Sequence, residues 1–205
     1  MISKKMYTPA FAKKKNIQGS TLVEVIVSVI LLTLGLLALM ATQLRSVSGL
    51  TEAENKSLVS QSTEALAESM LMNGTLVKTS SGNYYHSYAS YLTPPVPITG
   101  NITPFSPTTN TEYTKASIAD EYKKQFESEL YENLIKPESS TVSSVIYTIC
   151  LDKEKPEQPT LDSSGKNMIT NCQSGGTYTT IKVVWRSKST KDRFNDYSYV
   201  LRVAN

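Results

Sequence analysis

One carboxylate stands at the head of a long uncharged stretch. Glu24 is followed by residues 25–44, twenty residues without a charge, and Arg45 closes the run, while Gly19 and Ser20 lie just upstream. If the stretch is a membrane helix, an acid at mid-bilayer costs up to about 2.5–3.5 kcal/mol and less at the interface, so Glu24 requires a cation. At headgroup level it would instead favour the positive N-terminal end of the helix dipole. Both readings are electrostatic and neither is catalytic. The other reactive groups are few: His86 is the single histidine, set in the Tyr-rich run 83–91, and Cys150 and Cys172 are the two cysteines. A structural zinc site takes about four ligands, which these three residues cannot supply. A Ser-His-Asp or Cys-His nucleophile would have to be built on His86 alone, and a lone His among tyrosines reads as polar surface. The sequence points to no enzyme, cofactor or metal site.

The element that positions Glu24 is a membrane helix. Twenty residues at about 1.5 Å each span roughly 30 Å, the thickness of the hydrocarbon core. Ahead of it, residues 1–19 hold Lys4, Lys5, Lys13, Lys14 and Lys15 and no acid. That bias keeps the N-terminus in the cytoplasm and sends residues 45–205 across the membrane. An ordinary secretory signal competes, but its apolar region is typically about 7–15 residues and ends in a small-x-small site; Ala38 and Ala41, three apart, fit poorly. The chain has 205 residues, with 21 Lys plus Arg against 18 Asp plus Glu, a net +3. Taking the five leader lysines away leaves 16 basic residues against 18 acidic, a balance of −2. Nucleic-acid binding would therefore rest on a tail instead of a folded basic face, and none is expected.

Length and composition, 40% hydrophobic and 19% charged, fit one domain, or one domain with an appendage, and a real core. From Leu50 to Asn73 there is neither Pro nor Gly, and Leu50, Ala53, Ser57, Leu58, Gln61, Ala65 and Met70 give a weak three-four rhythm that stops at Asn73-Gly74. The helix thus continues past the membrane over residues 20–73, its transmembrane half at about 22–44, with Gly35 and Gly49 as soft points or merely tolerated. Residues 74–116 crowd Pro94, Pro95, Pro97, Pro104 and Pro107 together and read as a long surface loop with a short edge strand at 84–92. This loop is either a contact surface for other subunits or an idle insertion. Ser117 reads as an N-cap opening an amphipathic helix with Ile118, Tyr122, Phe126, Leu130 and Leu134 on one face, ended by Lys136-Pro137.

The last third is strand-like. Val145, Tyr147, Ile149 and Leu151 form one alternating row, Ile181, Val183 and Trp185 a second, and Tyr197, Tyr199, Leu201 and Val203 a third, with a polar hairpin loop at 187–196. The fold class is α+β: an antiparallel sheet covers the second half of the long helix, with Trp185 as a core anchor. Cys150 and Cys172 lie in the exported part, where oxidation is expected, and two suffice for one bridge. Closing a loop of about 23 residues is worth ~3 kcal/mol in the chain-entropy account. Two free buried thiols are the alternative.

The string Gln18-Gly19-Ser20-Thr21-Leu22-Val23-Glu24-Val25-Ile26-Val27 resembles the processing site of type IV prepilins, with Gly before the scissile bond and Glu at the fifth mature position. Two features depart from the usual pattern: Ser20 stands in place of Phe, and a 19-residue leader is long, which makes Met6 a candidate start. The resemblance implies a pilin-like fold of three parts: a leader at 1–19, a long N-terminal helix at 20–73 and a periplasmic globular domain at 74–205. It implies cleavage by the prepilin peptidase between Gly19 and Ser20, N-methylation of Ser20, and a pairing of Glu24 with the N-terminal amine of a neighbouring subunit. A buried charge pair of that kind rejects a subunit out of register.

Within this family the chain resembles the PilV type of minor pilin, through Leu34-Gly35-Leu36-Leu37-Ala38-Leu39, Glu64-Ala65-Leu66-Ala67-Glu68-Ser69-Met70 with Asn73, and Cys172 leading to Val183-Val184-Trp185. The implied role is a low-abundance subunit that joins other minor pilins and the major pilin at the filament tip, primes assembly and modulates adhesion or twitching motility. The implied location is the inner membrane, then the pilus on the cell surface. Two alternatives stand beside it: a minor pseudopilin of a type II secretion system, and a single-span anchored periplasmic protein of another class.

Overall fold

The computed structural model describes residues 20–100, 113–138, 140–188 and 193–203. Helix α1 runs Ser20–Asn73, 54 residues, followed by β1 (Thr75–Lys78), β2 (Tyr84–Ser87), a 3-10 turn (Ala89–Tyr91) and β3 (Thr93–Pro97). Helix α2 (Lys115–Leu130) passes into a π-helical turn (Tyr131–Ile135), and then come β4 (Val142–Asp152), β5 (Thr160–Leu161), β6 (Met168–Ile169), β7 (Tyr178–Lys188) and β8 (Phe194–Arg202). The chain forms two compact units, Met1–Leu50 and Thr51–Asn205, and α1 supplies residues to both. The class is α+β, with an apolar N-terminal helix and a C-terminal antiparallel sheet.

In the second unit the sheet order is β3-β4-β7-β8, antiparallel throughout. Period-two alternation sorts its side chains onto two faces. Val145, Tyr147, Ile149, Ile181, Val183 and Trp185 face the helices and join Val59, Leu66, Met70, Phe126 and Leu130 in the main core. Trp185 is buried there as expected and stacks on Tyr197, ring centroids 5.6 Å apart. The opposite face carries Ile146 and Val184, covered by Leu161 and Met168 of the β5–β6 hairpin.

Four sequence expectations change. The buried face of α1 is Val59, Thr63, Leu66, Ala67 and Met70, whereas Leu50, Ala53, Gln61 and Ala65 are exposed. Thr63 disguises the stripe: its hydroxyl donates to the Val59 carbonyl at 2.6 Å, so a polar residue sits in the core with its bond made. The N-cap of α2 is Thr114, not Ser117. Ser117 occupies the third helical position, where its N–H donates to Thr114 Oγ1 (3.1 Å) and its Oγ accepts from the Thr114 N–H (2.9 Å). The segment after α1 is structured: β1 pairs with β2, and β3 joins the main sheet despite Pro94, Pro95 and Pro97. An edge strand tolerates prolines because its outer N–H groups have no ladder to serve. Pro104 and Pro107 lie outside the described residues. The last hairpin loop is shorter than expected, since β7 extends to Lys188 and β8 begins at Phe194.

Candidate functional site

Leu22–Gln43 is a 22-residue stretch of α1 with mean hydropathy 2.7 and none of it buried within the chain. Apolar side chains are exposed around its whole circumference, Leu22 at 66%, Ile26 at 50% and Leu31 at 64% among them. A helix apolar on all sides needs a membrane or a bundle of other helices around it. At about 1.5 Å per residue it extends roughly 33 Å, long enough to span a bilayer. Its hydroxyls are satisfied locally: Ser28 donates to the Glu24 carbonyl (2.7 Å), Thr33 to that of Ile30 (2.9 Å) and Thr42 to that of Leu39 (2.8 Å). None of the three brings a stranded polar group into an apolar medium.

Glu24 is different. It is the one charged residue of Leu22–Gln43, it is exposed, and among the described residues no ion pair reaches it. Val25, Ser28, Val29 and Leu32 flank it along one side of the helix. Ser20 is the first residue of α1, and Gly19 lies outside the described residues. At Gly35 and Gly49 an added Cβ would meet nothing within 4 Å, and α1 passes through both without a break. Among the described residues no contact requires glycine there.

In the second unit Cys150 and Cys172 form the disulfide, Cα atoms 6.3 Å apart. It ties the end of β4 to the segment before β7, and beneath that segment lies a group the sequence reading missed. Lys182 and Asp152 are a salt bridge at 2.6 Å with both side chains fully buried. Lys182 Nζ also donates to the carbonyls of Glu157 (2.9 Å), Thr170 (3.1 Å) and Asn171 (2.9 Å). Asp152 accepts from the Gln173 N–H (2.8 Å) and the Thr180 hydroxyl (3.2 Å). Four oxygen acceptors, one of them a carboxylate, close around the Lys182 nitrogen, so this side chain is built into the fold of the second unit. The available signal was two charges standing inside strand patterns, Leu151-Asp152 and Ile181-Lys182-Val183.

His86 is exposed on β2, its ring stacked on Tyr88 with centroids 6.5 Å apart. It borders an open groove of about 450 Å³ whose lining includes Tyr85, Leu92, Leu151 and Thr179 and no acidic or basic side chain apart from His86 itself. Tyr147 donates its hydroxyl to Glu127 at 2.5 Å, and burial first, then this carboxylate, pushes the phenol well above its ordinary range. On the other side of the sheet Arg186 Nε and Nη2 grip Asp196 at 2.6 and 2.8 Å, while the same guanidinium donates to the carbonyls of Asp162 and Ser163. Gly165 is required beneath it, because its φ is +70° and a Cβ would fall 2.2 Å from Arg186 Nη1. The Asp162 carboxyl is held below the ordinary range by donation from Asn167 and Ser164. Among the described residues no group of three His, Cys, Asp or Glu side chains could hold a metal ion.

No protein-family model, curated protein or solved structure matches this chain.

Proposed function

We propose that the chain is a minor type IV pilin of the PilV type. It is made with a leader ending at Gly19 and held in the inner membrane by α1, N-terminus in the cytoplasm and the globular domain in the periplasm. It is then carried with other minor pilins and the major pilin into the tip complex of the filament, where it promotes assembly and modulates adhesion or twitching. The observation that carries this reading is the isolation of Glu24, the sole charge of the exposed apolar stretch Leu22–Gln43 and without an ion-pair partner among the described residues.

In this reading the prepilin peptidase hydrolyses the Gly19–Ser20 bond. Water adds across the amide, the Gly19 carboxylate leaves with the leader, and Ser20 gains a free amine, the site of N-methylation. That amine is the missing cation. A neighbour displaced along the axis by four residues, about 6 Å, brings its amine level with Glu24. Inside a bundle of apolar helices the two charges screen each other where water cannot, and a subunit in the wrong register leaves one unpaired.

N-terminal sequencing of the wild type and of Gly19→Ala tests the reading. The wild type should begin at Ser20, and the variant should keep its lysines and be missing from sheared filaments. A wild-type chain that keeps its leader, or a variant that still begins at Ser20, overturns it.

A further inference from the structure

The face of the main sheet turned away from the helices carries the disulfide and the buried salt bridge together. Side chains alternate along a strand, and Ile149 and Ile181 belong to the main core, so Cys150 and Asp152 of β4 share the opposite face with Thr180 and Lys182 of β7. Lys182 lies opposite Thr148 and Asp152 opposite Tyr178, with the Cys150–Thr180 pair between them. The salt bridge therefore spans the position of the bridged cysteine. Thr180 fills the gap, its hydroxyl within 3.2 Å of both the Cys150 carbonyl and Asp152 Oδ2. Over this face runs the segment 153–171, which the disulfide bounds at either end.

The same segment is closed a second time without sulfur. Lys182 Nζ takes the Glu157 carbonyl near its start and the Thr170 and Asn171 carbonyls at its end. Asp152 Oδ1 accepts from the Gln173 N–H at 2.8 Å. Cys172 is thus fixed on both flanks, through the Asn171 carbonyl on Lys182 and the Gln173 amide on Asp152. Its partner Cys150 is fixed by the β4–β7 ladder. Smaller ties act in the same sense: Lys153 N–H donates to Gln173 Oε1 (3.3 Å) and Asn171 Nδ2 to the Gln158 carbonyl (2.8 Å). Asn171 reaches this position with φ +50°, in the left-handed region where asparagine is enriched. A disulfide stabilises mainly by restricting the unfolded chain, so seating the segment in the folded chain needs contacts of its own, and these are present.

We propose that the Asp152–Lys182 pair is a latch that seats the segment 153–171 while both cysteines are thiols, and so places Cys172 beside Cys150 before the bridge forms. Both cysteines are half-buried, which leaves them open to a small oxidant such as glutathione disulfide. One protein thiolate attacks that disulfide, a mixed disulfide forms and one glutathione thiolate leaves. The second protein thiolate then attacks the protein sulfur of the mixed disulfide and expels the other glutathione. Two protein thiols lose two protons and two electrons, and one glutathione disulfide becomes two glutathione thiols. The second step is intramolecular, and its rate follows how often the two sulfurs meet. The latch acts on that step. Run in reverse, the same chemistry opens the bridge and leaves the segment seated.

The test uses the full chain in detergent micelles, reduced and then moved into a glutathione buffer. Three chains are compared: the wild type, the double variant Asp152→Leu with Lys182→Met, and Thr114→Ala, which weakens α2 and leaves the latch intact. Emission from Trp185, the single tryptophan and buried in the main core, reports that each reduced chain is folded. Alkylation at timed intervals, read by intact mass, follows bridge closure. The wild type and Thr114→Ala should close within about twofold of each other, while the double variant should close about tenfold more slowly or worse and accumulate the singly glutathionylated chain. Hydrogen exchange on the reduced chains gives the second readout. The Gln173 amide should stay protected in the wild type and exchange at least about tenfold faster in the double variant.

A folded double variant that closes its bridge as fast as the wild type overturns the proposal. So does a reduced wild type whose Gln173 amide exchanges freely while Trp185 stays buried, or a Thr114→Ala chain slowed as much as the double variant. If the double variant fails the Trp185 check, the exchange of the reduced wild type decides by itself: a protected Gln173 amide supports the latch and a free one refutes it. Every contact invoked lies within the second unit, so the latch stands or falls independently of processing at Gly19.

Discussion

Two charges, one in each unit of the chain, are handled in opposite ways. Lys182 is fully buried and has four acceptors drawn from its own chain: the Asp152 carboxylate and the carbonyls of Glu157, Thr170 and Asn171. Glu24 stands exposed on an apolar helix with no ion pair among the described residues. A charge whose partners are internal belongs to the fold; a charge without one among the described residues is what the proposed assembly would have to satisfy. The difference separates the work of the two units more sharply than their secondary structure does.

The comparison can be broken most forcefully at Asp152. Asp152→Ala leaves a buried ammonium without its counter-ion and should destabilise the second unit by about 3–5 kcal/mol, read from the urea midpoint of the oxidised protein. Replacing both partners, Asp152→Leu with Lys182→Met, should recover most of that loss, because no charge is then stranded. Next comes the disulfide that closes the same segment. Replacing Cys150 and Cys172 by Ser should cost ~3 kcal/mol, seen as a lower midpoint with an altered slope as the unfolded chain expands. Removing the cap of α2 by Thr114→Ala is a smaller local loss, about 1 kcal/mol in the same assay.

Glu24→Ala gives the smallest change in stability, within about 0.5 kcal/mol, since no described contact of the second unit is touched. Yet it should abolish incorporation into sheared filaments while the N-terminus is still processed at Ser20. A Glu24→Ala chain present in filaments at the wild-type level would erase the distinction between the two charges.

Much of this was legible in the sequence because the signals were local. Residues 25–44 announce, by length and composition, a helix apolar enough to span a membrane, and the alternations at 145–151, 181–185 and 197–203 announce strands. The pairing of Cys150 with Cys172 followed from their number and expected compartment. What failed depended on tertiary partners. The stripe on α1 was misplaced because Thr63 looks polar until its hydroxyl is seen bonded to the Val59 carbonyl. Pro94, Pro95 and Pro97 suggested a loop, since only the sheet order reveals that their strand is an edge. Asp152 and Lys182 are 30 positions apart in sequence, and no pattern along the chain joins them. For the candidate site the position of Glu24 was readable, while its lack of a described ion-pair partner required coordinates.

The prolines of β3 also have a consequence for growth. A sheet unit with two usable borders polymerises: each addition exposes a fresh border, and chain length climbs with concentration. Here one border lacks the N–H groups that addition consumes, so a partner joining at β8 leaves nothing on this chain for the next. Such a unit ends a series of sheet borders and cannot extend one.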